Sequence, residues 1–144
     1  MRSLTRWLAA WCLLLTLGSA QAALHLQLKT EGLSPAEQQA SQALLDEAMQ
    51  SLPPRFVEQL DRQILVGWTD DMPSNAYGQA SLVSELDLNR KLLAGLTDGS
   101  AAVQQTNRPH GTVRRELLAT VLHELTHLYD RARLWPAAQR TLIQ

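Results

Sequence analysis

Apolar residues recur every three or four positions between residues 112 and 135, and this spacing predicts one long amphipathic helix. The recurring positions are Val113, Leu117, Leu118, Val121, Leu122, Leu125 and Leu128. No glycine or proline interrupts the segment. Gly111 and Thr112 precede it as a breaker and an N-cap candidate, and Pro136 predicts that the helix ends near Trp135. We therefore expect about six helical turns.

Shorter patterns in the first two thirds of the chain predict strands and two more helices. Strict alternation over residues 24–29 predicts a half-buried strand. Ser34, Pro35 and Glu37 form a helix start signal, and the helix that they begin runs to about Gln50. The remaining predicted elements are a short helix at 56–60, a buried strand at 64–68 and a loosely alternating strand at 82–88. Together they predict one α+β domain, a small mixed sheet packed on helices that include the long one.

The long helix carries the sequence His123-Glu124-Leu125-Thr126-His127, which has the HExxH pattern of zinc metallopeptidases. Two histidines four residues apart differ by about 40° around a helix and about 6 Å along it, so both imidazoles can reach one metal ion. A zinc ion with an open position lowers the pKa of bound water to about 7, and a neighbouring carboxylate can accept its proton. We therefore predict that His123 and His127 bind zinc and that Glu124 is the catalytic base.

Alternatives stay open around this motif. The two histidines could be surface residues on a solvated helix face, although the chain has only four histidines and two take the motif spacing. Asp130 lies on the same helix face, where it could orient a ligand imidazole through a hydrogen bond. It could instead pair with Arg131, Arg133 or Arg114 on the surface, or bind the metal directly. The third ligand is unknown: the glycine and final histidine of metzincins are missing, no acidic residue follows Asp130, and His110 is the one spare histidine nearby.

The first 22 residues predict a secretory signal peptide. Arg2 and Arg6 precede an apolar stretch over residues 7–17, and an A-x-A cleavage site ends at Ala22. The stretch is shorter than the roughly 20 residues that span a bilayer, so we expect no membrane anchor after cleavage. Cys12, the only cysteine, lies within the signal, and a domain over residues 23–144 would have no disulfide. The predicted location is periplasmic or secreted.

Composition narrows the functional classes. Hydrophobic residues make up 45% of the chain and charged residues 19%, which is typical of a globular domain. The formal net charge of −1 gives no indication of nucleic-acid binding. The expected partner is a peptide or protein substrate.

The segment His123-Glu124-Leu125-Thr126-His127-Leu128-Tyr129-Asp130-Arg131 resembles the HExxHxxD form of several zincin-like peptidases. The wider chain resembles uncharacterised exported zincin-like proteins of Gammaproteobacteria in the order of Leu24-His25-Leu26, Leu33-Ser34-Pro35-Ala36-Glu37, Leu86-Asp87-Leu88-Asn89-Arg90, Arg114-Arg115-Glu116-Leu117-Leu118 and the metal helix. This resemblance covers nearly all of the expected mature chain. It implies a zincin-like N-terminal subdomain and a third ligand, a glutamate, beyond the metal helix, so that the chain would be truncated before it.

In zincins an edge strand above the zinc binds the substrate backbone, and the predicted strand at 82–88 is the candidate for it. An ordinary sheet strand is the alternative. The leading hypothesis is an exported zinc metallopeptidase in which Glu124 is the general base. The rival hypotheses are a non-catalytic periplasmic module that binds zinc or a partner protein, and an inactive truncated fragment.

Overall fold

The computed structural model describes residues 23–60, 62–81, 84–100 and 111–141, with side chains described up to residue 133. Within these residues the elements follow in the order β1 (His25–Leu28), α1 (Pro35–Ser51), α2 (Pro54–Gln59), β2 (Gln63–Thr69), β3 (Gly78–Ala80), β4 (Glu85–Asn89), a 3₁₀ turn (Arg90–Leu92), α3 (Leu93–Asp98) and α4 (Val113–Thr141). The predicted signal peptide and His110 lie outside the described residues.

The described strands form one mixed sheet in the order β1-β2-β4-β3. Strands β1, β2 and β4 are parallel, with Leu26 opposite Ile64 and Val66 opposite Leu86. Strand β3 is antiparallel to β4, places Ala80 opposite Leu86, and forms one edge of the sheet. The predicted small mixed sheet in an α+β domain is confirmed.

Alternate residues of the strands pack with α1 and α4 in one hydrophobic core. The strands contribute Leu26, Ile64, Val66, Leu86 and Leu88, and α1 contributes Leu44, Leu45 and Ala48. Helix α4 contributes Val113, Leu117, Val121, Leu125 and Leu128. These five positions follow a three- and four-residue spacing, so they lie along one stripe of the helix, which is the stripe that the sequence predicts.

A capping box begins α1. The Glu37 N–H donates to Ser34 Oγ at 3.3 Å, and the Ser34 N–H donates to Glu37 Oε2 at 2.7 Å. The backbone and side-chain hydrogen bonds from Ser34 hold the pKa of Glu37 below its ordinary value. Because the folded-state pKa is lowered, this contribution to stability is present at neutral pH and is lost as the pH falls through that lowered pKa.

Two polar contacts fix α1 against the sheet and against α4. The Trp68 indole N–H on β2 donates to Ser41 Oγ at 3.0 Å. Arg114 Nε at the start of α4 donates to Glu47 Oε2 at 3.0 Å. The Arg114 and Glu47 side chains are 39% and 43% exposed, so this ion pair contributes only a few tenths of a kcal/mol and serves mainly to set the orientation of the helices.

The structure corrects two predictions from the sequence and adds two elements. Helix α4 does not end near Trp135 but continues to Thr141, because Pro136 removes one backbone donor and disfavours, without forbidding, a helical residue before it. Strand β4 begins at Glu85 and lies in the interior of the sheet, so the strand predicted at 82–88 is not the edge strand. The short elements β3 and α3 were not predicted.

Replacement of Ser34 by alanine tests the capping box. Ser34→Ala removes the acceptor for the Glu37 N–H, and we expect it to lower the free energy of unfolding by about 1 kcal/mol. The matched control is Ser51→Ala in the last turn of α1, where Ser51 Oγ only donates to the already helical Glu47 C=O. Urea unfolding of both variants measures the difference, and equal effects would contradict the capping role.

Candidate metal centre

The buried stripe of α4 leaves the HExxH residues on the other side of the helix. Val121, Leu125 and Leu128 are almost completely buried, whereas His123 and His127 are exposed. Because the core fixes the rotation of α4, both imidazoles project from the fold on the same helical face. The helix itself therefore brings the two predicted metal ligands together.

The two imidazole rings contact each other through their Nε2 atoms. His123 Nε2 and His127 Nε2 are 2.9 Å apart, and the rings meet edge to face at 89° with centroids 4.6 Å apart. Which of the two nitrogens donates at this distance depends on the tautomers of the rings. A metal ion placed here would find two imidazole nitrogens converging on it.

Glu124 lies beside this pair and is held by the edge strand. Its carboxylate belongs to the cluster with His123 and His127, whose ligand atoms all lie within 4.8 Å of one another. The Ala80 N–H donates to Glu124 Oε2 at 2.9 Å, and this bond joins residues 44 positions apart. Glu124 is half-buried, and among the described residues Oε1 has no hydrogen-bond partner. One oxygen is thus fixed and the other is left for a ligand.

Strand β3 presents backbone groups toward α4. Tyr77 and Ser81 bond to β4 through their backbone, so Gly78 and Ala80, which alternate with them, point their N–H and C=O away from β4. Arg131 on α4 donates from Nη1 to the Ser81 C=O at 2.7 Å and to the Ala80 C=O at 3.3 Å. Both outward groups of Ala80 are therefore bound by side chains of the helix that carries the motif.

Gly78 allows this close approach. A Cβ at Gly78 would lie 2.7 Å from Thr120 Cγ2 of α4 and 3.1 Å from Leu88 Cδ2. Thr120 is β-branched and its hydroxyl bonds the Glu116 C=O at 2.8 Å, so it has little freedom to move. A side chain at this position would therefore force β3 or α4 to shift where the two elements lie side by side.

A groove runs between β3 and α4 next to the cluster. It has a volume of about 360 Å³ and is lined by Tyr77, Gly78, Glu116, Ala119, Thr120, His123 and Glu124. The Tyr77 hydroxyl is buried and has no hydrogen-bond partner among the described residues. A second hollow, of about 300 Å³, includes Lys29, which follows β1, and Asp87 on β4, and contains no residue of the motif. The groove beside α4 is therefore the concave surface that adjoins the candidate metal ligands.

The structure places the other predicted site residues as follows. Asp130 is exposed, and its role in orienting a ligand stays a prediction. The arginines considered as its partners bind other groups: Arg114 binds Glu47, Arg131 binds the edge strand, and Arg133 binds the Tyr129 hydroxyl at 2.9 Å. Within the described residues, the cluster consists of His123, Glu124 and His127. It therefore offers no third ligand apart from Glu124, the residue that the sequence predicts as the base.

Sequence reasoning missed Ala80 as a partner of Glu124 and considered Arg131 only as a partner of Asp130. Neither contact leaves a local signal, because the bonds from α4 to Ala80 and Ser81 join residues 44 and 50 positions apart. The fold and site together define an α+β domain in which an HExxH helix docks on the edge strand of a mixed sheet.

Residues 25–144 match the family described as a domain of unknown function, DUF7844, and the chain belongs to this family. No curated protein matches the chain. No solved structure matches it.

A double variant tests the close approach of β3 to α4. Gly78→Ala places a methyl group against Thr120 Cγ2, and we expect it to lower the free energy of unfolding by about 1–3 kcal/mol. Thr120→Ser removes that methyl but keeps the hydroxyl, so the pair Gly78→Ala with Thr120→Ser should recover part of the loss, while the contact with Leu88 Cδ2 remains. Thr120→Ser alone is the control for the cycle. Additive effects in urea unfolding would contradict a direct steric contact.

Proposed function

We propose that this protein is a zinc-dependent metallopeptidase. The observation that carries the proposal is the arrangement on α4, where two exposed imidazoles converge at 2.9 Å with a half-buried carboxylate beside them. Imidazole nitrogen is a preferred zinc ligand, and the HExxH spacing supplies a base next to the metal. The groove along β3 adjoins the same three residues.

His123 and His127 would hold the zinc ion through their Nε2 atoms, and the donor chemistry fits it. When bound, zinc would polarise a substrate carbonyl and make water acidic enough to lose a proton near neutral pH. Glu124 would take this proton from the attacking water through Oε1 and later give it to the leaving amine. The bond from the Ala80 N–H to Oε2 supports this role, because it keeps the carboxylate oriented without using both oxygens.

A peptide substrate fits the surface next to the motif. Gly78 turns its backbone N–H and C=O away from β4, where they can bind a peptide backbone, whereas the outward groups of Ala80 are already bound by Glu124 and Arg131. An extended peptide in the groove would therefore pair with Gly78 and pass close to His123 and Glu124. This replaces the predicted role of the strand at 82–88, since β3 is the edge strand on this side.

We further propose that the protein is exported, on the basis of the signal pattern that ends at Ala22. Within the described residues, no helix has both the length and the apolar character needed to cross a membrane.

The rival function is a module that binds zinc without catalysis. Metal analysis and the replacement of Glu124 separate the two functions.

Metal analysis tests the zinc site. The full chain, purified and dialysed against a metal-free buffer, should retain one zinc ion per chain, and His123→Ala should lose it because one of two converging imidazoles is gone. His25→Ala is the matched control, since His25 is an exposed histidine on β1 far from the motif in the sequence. Loss of zinc in both variants, or retention in both while they stay folded by circular dichroism, would refute the assignment.

Glu124→Gln tests the proposed base. The amide keeps the shape of the side chain and an oxygen that can accept from the Ala80 N–H, but it cannot take a proton from water. We expect zinc to stay bound and peptide hydrolysis to fall by about 10²–10⁴-fold. The control is Glu58→Gln on α2, an exposed carboxylate of the same type. Cleavage of a mixed peptide pool, followed by mass spectrometry, gives the rates. Zinc binding without cleavage by the unaltered protein would favour the non-catalytic module.

A further inference from the structure

Two side chains of α4 hydrogen-bond the same residue of the edge strand, one at its N–H and the other at its C=O. Glu124 accepts from the Ala80 N–H at 2.9 Å, while Arg131 binds the Ala80 C=O at 3.3 Å and the Ser81 C=O at 2.7 Å. Glu124 and Arg131 are seven residues apart, so they lie on nearly the same face and about 10 Å apart along the helix. The HExxH histidine His127 lies between them in the sequence.

The two contacts have different structural effects. The bond from Ala80 orients the carboxylate of Glu124, but a strand of three residues at the edge of a sheet is weakly held by its own ladder. The guanidinium of Arg131 adds charge-assisted hydrogen bonds to two successive carbonyls, and such bonds are about twice as strong as neutral ones. The position of the Ala80 N–H therefore depends on Arg131 as well as on pairing with β4.

We infer that Arg131 is a positioning residue for Glu124. It fixes β3 on α4, and through Ala80 it holds the carboxylate that the proposed reaction uses as its base. Within the part of the chain that the structure describes, Arg131 neither lines the groove nor bonds to the two histidines, so its effect passes through the strand. The catalytic part of this inference rests on the proposed function, whereas the link from Arg131 to Ala80 does not.

Arg133 is a matched control on the same helix. It is also exposed and also an arginine, but it donates to the Tyr129 hydroxyl and stacks over the Tyr129 ring at 5.4 Å from its centroid. Its replacement removes the same charge without touching β3. A difference between Arg131→Ala and Arg133→Ala therefore reports on the edge strand and not on the charge of the helix.

Amide hydrogen exchange of the metal-free protein tests the link directly. In Arg131→Ala the Ala80 amide should exchange about tenfold faster than in the unaltered protein, because the strand loses the two Arg131 bonds to α4 and keeps only the one from Ala80 to Glu124. The Val66 amide, in the interior strand β2, should keep its rate, and Arg133→Ala should leave both unchanged. Unchanged exchange at Ala80 in a folded Arg131→Ala protein would overturn the inference.

Arg131→Lys keeps the experiment decisive if Arg131→Ala fails to fold. Lysine retains the charge, but its ammonium lies one bond nearer the helix than Arg131 Nη1, so it should hold the two carbonyls less closely and give an intermediate rate at Ala80. A selective increase at Ala80 supports the inference. An equal increase at Ala80 and Val66 would mean that Arg131 only stabilises the whole domain, which overturns it.

A kinetic arm tests the consequence for catalysis. In the zinc-loaded protein, Arg131→Ala should lower kcat about tenfold with zinc content unchanged, and Arg131→Lys should restore part of the loss. An unchanged kcat would overturn the positioning role. If the unaltered protein cleaves no peptide, the proposed function fails, and the exchange rates at Ala80 still decide whether Arg131 fixes the strand.

Discussion

The buried stripe of α4 sets the rotation of the helix, and every feature of the candidate site depends on that rotation. Leu117, Val121 and Leu125 have no exposed surface, and burying such a side chain stabilises a fold by about 1.5–3 kcal/mol. A shift of one residue would turn the helix by about 100° and bring these side chains to the surface. The core therefore holds His123 and His127 on the open side, although neither histidine takes part in it.

The edge strand of the sheet and the HExxH motif are stabilised by the same hydrogen bonds. An edge strand exposes backbone donors and acceptors, and proteins usually cover them or pair them. Here the backbone N–H and C=O of Ala80 are hydrogen-bonded to Glu124 and Arg131, two charged side chains of the motif helix. The same bond that satisfies the strand also orients the candidate base. Substitution of Glu124 by a residue without an acceptor would therefore disturb the strand as well as the chemistry.

Sequence reasoning identified the parts that repeat along the chain. The three- and four-residue spacing located α4, the capping box at Ser34 located the start of α1, and alternation located β1. The motif itself named His123, Glu124 and His127, and the structure brings these three together. Strand β3 was missed because three residues that include Gly78 carry no alternating pattern. Its contacts with Glu124 and Arg131 join distant parts of the chain, and no local propensity encodes them.

The distance along the chain between Ala80 and Glu124 also suggests an order of assembly. The two histidines are one helical turn apart, so their convergence requires only local helix formation, which is fast. The contact with Ala80 closes a loop of 44 residues, and this costs more chain entropy. Under the proposed function, metal binding would therefore begin on a helix that has not yet docked, whereas the candidate base Glu124 reaches its place only when α4 meets the sheet. The ability to bind metal would then arise earlier in folding than the placement of Glu124 that catalysis needs.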